Sequence, residues 1–119
     1  MKSKKLKWFK IATTTQELEW QQNNMCIVEV NGKKITLAKH NETIYAVSHK
    51  CPHASGIMAA GSIDVQGNII CPLHRFKFNL ITGVNTSGEG YFLNTYSIKQ
   101  NNDGLFVGLD SGGLFGNLL

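Results

Sequence analysis

Cys51-Pro52-His53 and Cys71-Pro72-Leu73-His74 are two short cassettes that each offer one thiol and one imidazole, with seventeen residues between His53 and Cys71. Thiolate sulfur suits zinc and iron–sulfur centres, and imidazole suits borderline metals, so this set could hold a tetrahedral zinc ion or a two-iron cluster. The spacing favours the cluster. In a mixed-ligand [2Fe-2S] centre one iron takes two thiolates and the other two imidazoles, so each loop must reach both irons with its own Cys and His. The i,i+2 and i,i+3 separations supply that short reach. A structural zinc module is the minor alternative, because zinc sites of this ligand count usually show tighter knuckle spacings. The chain's two prolines both directly follow a candidate ligand cysteine. Proline fixes φ and lacks an N–H, so it stiffens a ligand loop before metal arrives.

The pattern C-x-H-x17-C-x2-H resembles the signature of Rieske iron–sulfur proteins, and the resemblance runs on into Gly56, Gly61, the strand before Cys71 and the stretch from Phe76 to Gly83. It implies an all-β, Rieske-like fold: antiparallel sheets form a basal domain into which a small cluster-binding subdomain, about residues 50–83, is inserted. Residues 1–119 are then one Rieske domain. It also implies a Rieske [2Fe-2S] cluster as cofactor, with Cys51 and Cys71 on the buried iron and His53 and His74 on the outer one.

Departures from the family pattern refine this expectation. Respiratory members carry a disulfide between the two cluster loops, where this chain has Gly56 and Leu73, and place hydroxyl donors where it has Phe76 and Phe78. Fewer donors to cluster sulfur lower the potential, towards the bottom of the Rieske range of about −150 to +300 mV. A third loop, Asn85 to Gly90, lacks the proline many members have there and so lacks that source of stiffness.

The small bacterial ferredoxins resemble this sequence best. They imply a soluble one-electron carrier that takes electrons from a reductase and passes them to an oxygenase or another oxidoreductase. The alternative is a Rieske-like small subunit of a larger complex such as a nitrite reductase. Catalysis by the chain itself is not expected. An oxygenase needs a second, mononuclear iron site, and His40 and His49 are the only histidines left over. No dinucleotide-binding glycine fingerprint is present.

At 119 residues the chain can bury one core without help from a metal. No long apolar run occurs, and the basic start from Met1 to Lys10 leads into Thr13-Thr14-Thr15 rather than an apolar signal core, so a cytoplasmic location without membrane attachment is expected. The net charge of +4 is fed by Lys2, Lys4, Lys5, Lys7 and Lys10, read as a solvated, frayed end rather than a nucleic-acid site. Such a charge steers the chain towards redox partners with an acidic docking face. The third cysteine, Cys26, sits in an apolar run and is expected to be a small buried hydrophobe.

Most of the remaining sequence reads as short strands. Asn31-Gly32 between residues 26–30 and 33–37 is a strong hairpin signal, and His40-Asn41-Glu42 turns the chain into a third strand at 43–48. Residues 65–70 form a turn and strand that deliver Cys71, Phe76 to Asn79 alternates on the way out, and 91–98 and 105–109 form the last pair around Asn101-Asn102-Asp103-Gly104. A short helix near Thr15 to Trp20 could be capped by Thr14 and Glu17. His40 reads as a solvated turn residue and His49 as structural. The tail from Ser111 to Gly116 has loop composition.

Overall fold

The computed structural model describes residues 5–110; Lys2 and Lys4 of the basic start, and the tail from Ser111 to Gly116, lie outside the described residues. The fold is all-β. Strands β1 (Leu6–Ala12), β2 (Met25–Val30), β3 (Lys33–His40), β4 (Thr43–Ser48), β8 (Thr95–Asn101) and β9 (Gly104–Asp110) form a six-stranded antiparallel sheet in the order β1-β9-β8-β4-β3-β2. Between β4 and β8 the chain makes a separate three-stranded sheet from β5 (Ser62–Ile63), β6 (Asn68–Ile70) and β7 (Lys77–Asn79).

The meander β2-β3-β4 follows from its turns. Asn31 and Gly32 both take positive φ (52° and 79°), as a type I′ turn demands, and Asn41 and Glu42 do the same at 52° and 68°. Period-two alternation then gives the meander two different faces. Cys26, Leu37 and Ala46 stand opposite one another in register and pack with Val30, Ile35, Leu105 and Val107 into the basal core. Met25, Ala38 and Val47 point the other way, onto Met58, Ile69, Phe78, Leu80, Cys51 and Cys71. Ile35 to Ala38 are therefore all buried, because β3 is covered on both sides. Cys26 is buried as expected, and burial pushes its thiol up to about 11.

Three expectations are corrected. Part of the basic start is not a frayed end: Leu6–Ala12 pairs with β9, with the Lys7 and Lys10 side chains both exposed and Lys7 over the Phe9 ring. The helix near Thr15 is a single 3₁₀ turn, Thr15–Glu17, to which the Thr14 side chain gives no cap; Glu17 instead accepts from the Thr13 amide at 3.0 Å. The strand expected at 91–98 runs from Thr95 to Asn101, since Tyr91 to Asn94 belong to the cluster-side loop and only Phe92 bridges there, to Val84. Among the described residues no helix is long and apolar enough to cross a membrane.

Candidate metal centre

The two cassettes fold into loops of the same construction. The Cys51 amide donates to the Gly56 carbonyl at 2.7 Å, and the Cys71 amide donates to the Phe76 carbonyl at 2.8 Å, so each cysteine closes its loop on the fifth residue after it. The fourth residue after each cysteine, Ser55 or Arg75, sits at φ near +60°, which reverses the chain. Prolines Pro52 and Pro72 occupy the second position of both loops, where a fixed φ helps the turn and no N–H is needed. The cysteine-bearing ends are anchored in the core. Cys71 follows β6 directly, and a turn at Met58–Ala60 beside the first loop is clamped by Gln21 Nε2 and Asn23 Nδ2, which donate to the Ala59 carbonyl at 2.8 and 2.9 Å.

Cys51 and Cys71 are buried and adjacent, and the His53 and His74 rings neighbour each other with centroids 5.2 Å apart. Burial first, and then the hydrogen-bonded Cys51 thiol, push the Cys71 thiol up to about 11, against the Leu73 N–H that donates to its sulfur at 3.4 Å. Both effects favour the neutral Cys71 thiol until a cation takes the proton's place. His53 is half-buried, stacked on Phe76 at 4.2 Å with Tyr91 at 5.3 Å on another side, whereas His74 is exposed.

Three observations show that these residues fit a metal cluster. The buried Nδ1 of His53 has no hydrogen-bond partner, a costly state for a polar atom unless something else binds it. A Cβ at Gly56 would lie 2.9 Å from Cys71 Sγ, so the sulfur occupies space that only glycine leaves free. Finally, a neighbouring pair of buried thiols and a neighbouring pair of imidazoles match the two-and-two split of donors that a mixed-ligand two-iron centre requires.

The sequence model of the Rieske [2Fe-2S] domain family matches residues 7–90, well over half of the chain. The chain belongs to this family. Its cofactor is accordingly a Rieske [2Fe-2S] cluster. Among curated relatives, this Rieske domain is 32% identical over 78 residues to the ferredoxin component of the naphthalene 1,2-dioxygenase system of Pseudomonas putida, covering 66% of this chain and 71% of that one. It is also 33% identical over 72 residues to apoptosis-inducing factor 3 of Mus musculus, a match that covers 60% of this chain but spans only 12% of that protein. Among solved structures it resembles in fold the ferredoxin of carbazole 1,9a-dioxygenase from Nocardioides aromaticivorans IC177, with a TM-score of 0.72 at 22% identity over 84% of this chain and 95% of that one.

The other expected residues take separate places. His40 ends β3 rather than lying in the turn, and its ring contacts the Asn41 amide at 3.3 Å. His49 precedes the first loop, its carbonyl accepting from the Met58 amide at 2.9 Å; partial burial first, then Lys34 and Lys50, hold its ring below the ordinary histidine range. The three cysteines are free, so no disulfide joins the loops. Reading the sequence missed the αL pair His74–Arg75, at φ 62° and 60°. Two consecutive non-glycine residues there leave no local mark beyond the closing hydrogen bond they serve.

Proposed function

We propose that this Rieske domain is a one-electron carrier rather than an enzyme, with its cluster held by Cys51, Cys71, His53 and His74 in an insertion of about residues 50–83 within a single 1–119 domain. The observation that carries the proposal is the pair of like-built loops that bring two thiols together in the core and two imidazoles next to each other. When bound, the cluster stores and releases one electron. The protein does the rest. Cys51 and Cys71 fix the inner side in a core that excludes water, and Pro52 and Pro72 hold the loops in shape. His53 is covered by Phe76 and Tyr91, which leaves the exposed His74 as the electron's way in and out.

Around His74 lie Leu73, 45% exposed, and the exposed Arg75, an apolar contact beside a fixed cation. That surface suits a redox partner with an acidic face, namely a reductase as donor and an oxygenase or other oxidoreductase as acceptor. A cytoplasmic location belongs to this reading.

The test is low-temperature EPR on anaerobically purified, dithionite-reduced protein and its His53→Ala and His74→Ala variants. A rhombic signal with an average g below that of all-thiolate clusters, lost in both variants, is expected. Metal-replete protein that gives no signal would turn the assignment to zinc and end the carrier reading.

A further inference from the structure

The third loop lacks a proline, yet it is tightly built. Asn85 lies at its start, bridged to Phe78 of β7. The Asn85 amide nitrogen faces three acceptors, the Lys77 carbonyl at 2.9 Å, Ser87 Oγ at 3.1 Å and Glu89 Oε1 at 3.0 Å, which share its two hydrogens. Its oxygen accepts from the Glu89 amide and from the Gly90 amide, the latter at 2.8 Å. Ser87 completes the knot: its hydroxyl donates to Glu89 Oε1 and accepts from the Lys77 amide. One side chain therefore fixes both the backbone and the carboxylate of a residue four positions on.

What this knot positions is a charge. Tyr91, two residues after Glu89, lies 5.3 Å from His53 and 5.7 Å from Phe76, so the loop leaves its knot directly against the covered histidine. Hydrogen bonds from Ser87 and then Asn85 fix the Glu89 carboxylate at the head of the segment that carries Tyr91 to the His53 ring, and they hold the carboxyl below the ordinary glutamate range. A fixed negative charge beside a redox centre opposes the arrival of an electron. Glu89 is exposed, so salt screens part of this effect.

We infer that Asn85 is a positioning residue that holds the Glu89 carboxylate in the loop that covers His53, where its charge lowers the reduction potential of the cluster. The inference rests on His53 being a cluster ligand.

Film voltammetry on loaded wild type, Asn85→Ala, Glu89→Gln and the double variant tests it, with EPR run on each sample and amide hydrogen exchange on the metal-free chains. Glu89→Gln keeps the shape and removes the charge, so its potential should rise and the rise should shrink in high salt. Asn85→Ala should raise the potential too, and the Glu89 and Gly90 amides should exchange about tenfold faster, having lost their acceptor. In the double variant the Asn85 change should add much less than it does alone, because its effect runs through Glu89. An unchanged potential in Glu89→Gln with the EPR signature intact overturns the inference, as do fully additive shifts. If Asn85→Ala does not hold its cluster, Ser87→Ala, which removes one donor to Glu89, takes its place in the cycle. A wild type without the mixed-ligand signal would instead sink the ligand assignment, and the inference with it.

Discussion

Gly56→Ala adds one methyl group against the sulfur of Cys71, a proposed cluster ligand. Its Cβ would stand 2.9 Å from Cys71 Sγ and 3.1 Å from Leu73 Cγ. Gly56 is not among the residues at positive φ, so the test is steric rather than one of backbone strain. To restore ordinary contact at 3.4 Å the sulfur must retreat by about 0.5 Å, which uses up the ~0.5 Å within which a functional constellation must be held. In the metal-free chain the thiol can turn and the half-exposed Leu73 can move aside, so the cost should fall near the ~1 kcal/mol low end of overpacking. With the sulfur bonded to iron neither relief is complete, and the cost should approach ~3 kcal/mol. The difference, ~2 kcal/mol, corresponds to roughly 30-fold weaker cluster retention. Chemical unfolding of the metal-free and loaded forms, with iron release to a chelator followed in parallel, measures both quantities. Equal loss of stability in the two forms, or iron release at the wild-type rate, would refute the reasoning that this glycine exists to seat the sulfur.

Other substitutions probe separate parts of the argument. Phe78→Ala empties a fully buried site shared by both ligand loops and should cost ~3–5 kcal/mol, read as a large fall in Tm. Arg75→Gly removes left-handed strain at φ 60° and should raise stability by up to ~1 kcal/mol, while slowing salt-dependent electron exchange with an acidic partner; a slower exchange that ignores salt would count against Arg75 as a docking cation. For Asp64, burial alone would raise the carboxyl, but hydrogen bonds from Asn68 and Gln66 outweigh it and hold the group below its usual 3.8. Its stabilisation is therefore present above that value and lost as pH falls through the lower, folded one, so the Tm gap between wild type and Asp64→Ala should close only in acid. With Phe76 and Phe78 in place of hydroxyl donors, voltammetry should place the potential in the lower part of the range of about −150 to +300 mV, and a value well above zero at neutral pH would contradict this.

What the sequence made legible was local. Asn31-Gly32 dictates its own turn, and alternation in Leu105, Val107 and Leu109 foretells a strand with one buried side. The two candidate cassettes stood out equally plainly by their Cys, Pro and His spacing, and the structure folds both into loops of the same construction. What escaped were features decided by distant partners. Leu6–Ala12 is a strand because β9 offers it an edge, and nothing inside a lysine-rich segment announces that edge. Tyr91 to Asn94 look like a strand by composition, but Tyr91 is drawn to His53 and Phe92 to Val84. The third loop was read from its missing proline, whereas its order comes from Asn85, whose hydrogen bonds depend on the position of Lys77 in another strand.

On the proposed ligand assignment, the one-residue difference between the cassettes gives the centre its direction. Both loops close with the same hydrogen bond and reverse at the same position, so the second and third residues after the cysteine occupy different places on equivalent scaffolds. The histidine at the second place, His53, lies under Phe76 and Tyr91, and the histidine at the third place, His74, stands exposed. Had both loops carried the same spacing, two equivalent imidazoles would compete for one surface. As built, one imidazole shares the apolar cover of the centre and the other faces solvent beside Leu73 and Arg75. On the proposed ligand assignment, coverage and exit are divided between two residues of the same type, so the environment of the cluster can be tuned through Asn85 and Glu89 without altering the surface where a partner docks.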